Sequence, residues 1–236
     1  MRRMRQGAVG NVRLVERHGR TLVEKRLRDP LRHHTELLAL RALADTGLPV
    51  PRIVEVEPGS ILMTLMPGER LDGSDAHRRL DRLRASATVL HRLHDLQPPP
   101  GLPTAPDDGL IITRYRDAGG PPLPLEVPSA VRPVFCHGDW TDGNLLAVDR
   151  TITAVIDWET AHLGDPLREL SRAAWAAARK DPRSFDTLVE AYRADPDRVQ
   201  AWLPIHAAEL WLWFAEAGPP EYLKQLTAEL VDWPRA

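Results

Sequence analysis

At 236 residues, with 43% hydrophobic and 27% charged positions, the chain is long enough to bury a sizeable core and suits one two-lobed globule. A net charge of −2 and a pI near 6.5 exclude the basic footprint of a nucleic-acid or polybasic membrane partner; the one dense basic run, residues 1–5, is too short for a binding arm. The single cysteine, Cys136, excludes an internal disulfide and suits a reducing cytoplasm, and no apolar run reaches membrane length.

Residues 21–27 alternate as a strand that puts Val23 and Lys25 on one face. Residues 32–44 form a helix ended by Gly47 and Pro49. A turn at Gly59-Ser60 leads into an apolar strand, residues 61–66, which stops at Pro67-Gly68. Residues 75–96 make a long amphipathic helix with Leu80, Leu83, Ala87, Leu90 and Leu93 at helical spacing. His91 and His94 ride on it as ordinary helix residues, and no second ligand pattern argues for zinc. The stretches 97–108 and 119–128 are loops, the former rich in proline. An apolar strand, residues 134–136, delivers His137-Gly138-Asp139 at its end. Residues 145–148 and 152–156 pair as a hairpin around Asp149-Arg150-Thr151 and end on Asp157. Helices then cover residues 166–180, 184–194, 197–203, 205–217 and 221–231, without internal repeats.

The hairpin places Asn144 before its first strand and Asp157 after its second, so both flank it from one side. Two oxygen ligands from neighbouring backbone segments are what Mg²⁺ usually takes from protein. Asp139 sits beside that pair, placed to accept the proton of an incoming hydroxyl. A lone His-Gly-Asp carries little information; base, amide and second acid in order, each at a strand end, carry much more. Asp165 is a good N-cap, with Pro166 at the first helical position and Glu169 in the first turn.

Together, His137-Gly138-Asp139, Asn144, Asp157-Trp158-Glu159 and Gly164-Asp165-Pro166 resemble the catalytic segment of the aminoglycoside phosphotransferase and choline kinase family, relatives of the protein kinases that phosphorylate small molecules. The resemblance implies an α+β, protein-kinase-like two-lobed fold. Residues 1–66 would be a small β-rich nucleotide-binding lobe, and residues 67–236 a larger, mostly helical lobe for catalysis and acceptor binding. It makes Asp139 the catalytic base, Asn144 and Asp157 the metal ligands, His137 a support for the loop and Asp165 the anchor of the next helix.

Such a fold requires a phosphate-binding lysine in the first lobe. Only Lys25, Lys180 and Lys224 are lysines among the 31 basic residues, so Lys25 on a strand is more than background usage. Glu36, on the helix that follows, is placed to hold it as an ion pair. Gly7 and Gly10 stand where the family has its glycine-bearing loop between the first two strands, although the spacing departs from the Gly-x-Gly-x-x-Gly of protein kinases. Only residues 1–6 precede it, a short first strand. Backbone groups of Thr64 to Met66 would meet the adenine edge at the hinge.

The resemblance thus implies a kinase that uses ATP, with GTP not excluded, and Mg²⁺ to phosphorylate a hydroxyl of a small molecule, in the manner of an aminoglycoside or other antibiotic. A metabolic kinase for choline, ethanolamine, homoserine or a sugar has the same motifs, and a non-catalytic nucleotide-binding protein is the competing class. Against the latter, Lys25, Asp139, Asn144 and Asp157 are all present. Trp202, Trp211, Trp213 and Trp233, with Glu209 and Glu216, have the residue types of a cation-binding acceptor site, but tryptophans in so apolar a helix are more often core. A truncated edge strand in the small lobe is compatible with a monomer or a homodimer.

Overall fold

The computed structural model describes residues 10–17, 19–73, 75–129 and 131–233. Strand β1 (Gly10–Arg17) pairs antiparallel with β2 (Arg20–Leu27) over all eight positions, with Gly10 opposite Leu27 and Val12 opposite Lys25. Helix α1 (Pro30–Leu43) follows, then β3 (Ile53–Glu57) and β4 (Ser60–Thr64). These strands form one sheet in the order β1-β2-β4-β3, with α1 beside it. Helix α1 begins two residues before the sequence pattern does, because Asp29 caps it: its carboxylate accepts from Leu31 N at 2.8 Å, and Pro30 presets the first turn.

The larger region opens with β5 (Glu69–Arg70) and the long helix α2 (Ala76–His94), capped by Asp75. Helix α3 (Asp108–Asp117), unannounced by the sequence pattern, follows the cap residue Asp107 and buries Ile111, Ile112 and Tyr115. Strand β6 (Val134–Cys136) leads to the loop carrying Asp139. The hairpin of β7 (Leu145–Val148) and β8 (Thr151–Val155) forms as its alternation predicts, with Asp149 at φ 52° in the turn. Strand β9 (His162–Gly164) returns beside β6. The rest is helical: α4 (Pro166–Ala178), α5 (Arg183–Tyr192), α6 (Pro196–Gln200), α7 (Leu203–Ala217) and α8 (Pro220–Val231).

Apolar burial organises these parts in two clusters. One runs from Leu27, Ile61 and Met63 of the sheet through Leu40 and Leu43 of α1 to α2, the hairpin, α4 and α5. The other packs α3 against α7 and α8 through Tyr115, Trp211 and Leu226. A cleft of about 1100 Å³ opens between the sheet, the hairpin and the face formed by α4 and α7. No helix among the described residues is long and apolar enough to cross a membrane.

Candidate active site

Lys25 lies in the middle of β2, between Val12 of β1 and Ile61 of β4, and its ammonium is buried in a ring of carboxylates. Its Nζ is 2.5 Å from Glu36 of α1, 2.5 Å from Asp157 and 2.9 Å from Glu159. Burial alone would lower the Lys25 pKa, but the three carboxylates outweigh it and hold it above its ordinary value. Burial pushes Glu36 up to about 7 even with Lys25 beside it. Asp157 is pushed up by burial but pulled further down by Lys25, so it is a carboxylate. Glu159 also accepts from Arg32 Nη1 at 2.7 Å, bridging β2 and α1.

The loop after β6 is fixed from two sides. His137 donates Nε2–H to the Ile156 carbonyl at 3.0 Å, so its Nδ1 is left to accept from Asp139 N at 3.1 Å. Its ring packs on Trp158, centroids 4.5 Å apart. From behind, Glu169 of α4 accepts from the backbone N–H of His137 at 3.1 Å and of Gly138 at 2.6 Å, and from His94 Nε2 at 2.9 Å. His94 is held in turn by the Tyr192 hydroxyl at 2.6 Å. Burial pushes Glu169 up, but the hydrogen bond and charge of His94 pull it down to about 2, so a buried anion holds the loop. His94 is therefore not an ordinary helix residue. Gly138 has φ +85°, and a Cβ there would collide with the Thr160 carbonyl oxygen.

Asp139, Asn144 and Asp157 line the same cleft. The one-turn helix Asp142–Asn144 turns the chain so that Asn144 Nδ2 donates to Asp139 Oδ2 at 2.8 Å and to Asp139 O at 3.0 Å. That turn is pinned by Asp142, buried against Arg79 at 2.6 Å and Lys180 at 3.1 Å. Across the hairpin, Ile156 N donates to Asn144 O at 2.9 Å. Asp157 follows at φ 70°, an uncommon conformation for a residue with a Cβ. With its amide nitrogen committed to Asp139, Asn144 has its Oδ1 left, and Asp157 supplies a carboxylate. This hard oxygen pair fits Mg²⁺.

The far wall of the cleft comes from one face each of α4 and α7. Arg168, Arg172, Trp175 and Arg179 recur at helical spacing on the first, and His206, Glu209, Leu210 and Trp213 on the second. Glu209 is pushed up by burial but pulled down to about 2 by His206, Arg168 and Arg172. Of the tryptophans picked out in the sequence, Trp202 and Trp211 are core and Trp233 packs on the same core, while Trp213 stands half exposed at the cleft. Glu216 pairs with Arg114.

Lys25, Glu36, Thr64, Met66, Asp139, Asn144 and Asp157 thus all line one cleft. Gly10 opens β1, which pairs with β2, and Gly19 before β2 has φ +70°. Gly7 and the first strand expected at residues 1–6 lie outside the described residues. The sequence reading missed Glu169 as the loop's anchor and the guanidinium of Arg172. The helical spacing from Arg168 to Arg172 was the available signal for the second.

Residues 2–202 match the family model described as "Phosphotransferase enzyme family". Among curated proteins, "Acyl-CoA dehydrogenase family member 10" of Mus musculus is 31% identical over 175 residues; the match covers 60% of this chain, which spans only 16% of the mouse protein's length. Among solved structures, the fold is similar to that of the gentamicin complex of APH(2")-IIa, with a TM-score of 0.72 and 15% identity over 99% of this chain and 91% of that one. It is also similar to a choline/ethanolamine kinase family protein from Mesorhizobium loti, with a TM-score of 0.71 and 17% identity over 97% and 87%. The GDP and kanamycin complex of APH(2")-IIia gives 0.70 and 15% over 97% and 91%. With the sheet lobe, the helical region and the match over most of its length, the chain belongs to the phosphotransferase enzyme family and has its protein-kinase-like, two-lobed fold.

Proposed function

We propose that this protein transfers the γ-phosphoryl group of ATP to a hydroxyl of a small molecule. The observation that carries this reading is the convergence on one cleft of a buried ammonium, Lys25, within 2.5 Å of Asp157, and of Asp139 hydrogen-bonded at 2.8 Å to Asn144. Residues 1–66 act as the nucleotide-binding lobe, and residues 67–236 carry the catalytic and acceptor groups. Asn144 and Asp157 would hold Mg²⁺, whose charge would neutralise that of the phosphates.

Lys25, kept in place by Glu36, gives its N–H groups to phosphate oxygens. Asp139 orients the acceptor hydroxyl and takes its proton as the new O–P bond forms and the bond from Pγ to the β–γ bridging oxygen breaks, releasing ADP. Catalysis is mostly positioning and electrostatics. At the hinge, Thr64 N–H is already committed to Arg52 O at 2.9 Å, so the purine edge falls to the backbone of Leu65 and Met66. Presence of the whole polar set speaks for an enzyme over a nucleotide-binding relic.

The test is release of ADP and transfer of labelled γ-phosphate from Mg²⁺-ATP, with Mg²⁺-GTP in parallel, to alcohols that include aminoglycosides, macrolides, choline, homoserine and sugars. Metal-dependent turnover supports the reading. Saturable nucleotide binding without hydrolysis or transfer favours the binding protein.

A further inference from the structure

Among the described residues, the cations on the acceptor wall are held to different degrees. Arg168 is buried, with Nε 2.9 Å from Asp108 and Nη2 3.3 Å from Glu209. Arg179 forks onto Glu229 at 2.8 and 3.3 Å and lies over the Trp175 ring. Arg172, between them on α4, is 40% exposed. Its guanidinium stands 3.7 Å from Asp139 Oδ1 and 3.7 Å from Glu209 Oε2, beyond hydrogen-bond distance of both. A hydroxyl that reaches Asp139 therefore brings its own neighbouring atoms against this guanidinium.

The wall's anion is tied up as well. Glu209 is the only acidic side chain that α4 and α7 present to the cleft among the described residues, and Arg168, Arg172 and His206 surround it. An acceptor carrying several ammonium groups would find no unpaired carboxylate there and would meet Arg172 beside the reacting hydroxyl. Leu210 and Trp213 supply apolar surface on the same wall.

Resting on the phosphotransferase reading above, we infer that the acceptor is an anionic alcohol: a hydroxyl compound whose carboxylate or phosphate, a few bonds from the reacting oxygen, is clamped by Arg172. The planar guanidinium matches either oxyanion in a two-point contact. The apolar remainder of the acceptor lies on Leu210 and Trp213. Polycationic aminoglycosides are disfavoured at this wall by charge.

The experiment measures acceptor kcat and KM with Mg²⁺-ATP across matched series of alcohols from small to aryl-substituted, in hydroxycarboxylate, phosphoester, neutral and amino-alcohol forms, with kanamycin included. The expected result is the highest kcat/KM in one of the two anionic arms, the better arm identifying carboxylate or phosphate. Arg172→Gln should raise acceptor KM about ten- to hundredfold, with partial recovery in Arg172→Lys. Highest kcat/KM in the neutral or amino-alcohol arm, or an acceptor KM that Arg172→Gln leaves in place, overturns the inference. ADP release without label in either anionic arm also overturns it while leaving the kinase reading standing. Failure to bind or hydrolyse nucleotide overturns the kinase reading itself, and the inference with it.

Discussion

Lys25 Nζ and Asp157 Oδ1 lie 2.5 Å apart although 132 positions separate them in the chain. One comes from the centre of the sheet and the other from the end of the hairpin, so their contact joins the two lobes across the cleft. Glu36 and Glu159 complete the group, and all three carboxylates offer oxygens within 4.8 Å of one another. Lys25 is what makes that crowding tolerable.

Replacing Lys25 by Met should therefore cost stability as well as nucleotide affinity, by about 3 kcal/mol at pH 8, because it leaves the buried Glu36 unpaired. Glu36 has its folded pKa raised to about 7, so its charge is a burden that grows as pH rises toward and past that value. At pH 6 Glu36 takes up a proton and the loss should shrink. Urea unfolding of both proteins at the two pH values checks this; an equal loss at both would contradict it.

Glu169 gives the opposite pH dependence. Its folded pKa, about 2, lies below the ordinary 4.5, so its contribution is fully present above about pH 4.5 and is lost as pH falls toward 2. Glu169→Gln should be destabilised at neutral pH, and its deficit relative to the parent should close through that acid window. A deficit independent of pH would show that the anion is not what holds the loop.

Gly138→Ala should lower kcat about a hundredfold, since the new Cβ displaces the Thr160 carbonyl or the loop that carries Asp139. The positive φ adds strain of about 1–3 kcal/mol. Steady-state kinetics with a thermal melt separates the two effects, and wild-type kcat would contradict the tight approach.

Asp157→Ala should weaken Mg²⁺-nucleotide binding at least tenfold, in a titration of nucleotide at fixed Mg²⁺ and again in chelator. The parent should lose affinity in chelator and the variant should lose less. Equal affinities for parent and variant in Mg²⁺ would remove Asp157 from the metal site.

The segment from Val134 to Asp157 was legible because its strands are short and apolar, and the chemical residues fall where each strand ends. Lys25 stood out through the scarcity of lysine, and Glu36 through helical position. Strands β5 and β9 escaped because two or three residues carry no period, and β3 because all but its first residue are exposed. Helix α3 is too short and weakly amphipathic to announce itself. The anchoring of the loop by Glu169 and His94 depends on partners 31 to 75 positions away, and only tertiary packing makes that visible. His91 and His94 look alike in sequence, yet the first is exposed and the second buried against that anchor.

Asp139 is proposed as the base of a phosphoryl transfer. Its most direct test is the rate of labelled γ-phosphate transfer from Mg²⁺-ATP to the best acceptor by the parent protein and by Asp139→Asn, with nucleotide affinity measured in both. Asn preserves the shape of Asp139 without its proton affinity, so turnover should fall by roughly 10²–10⁴-fold with nucleotide still bound. Turnover at the parent rate by Asp139→Asn would contradict the account.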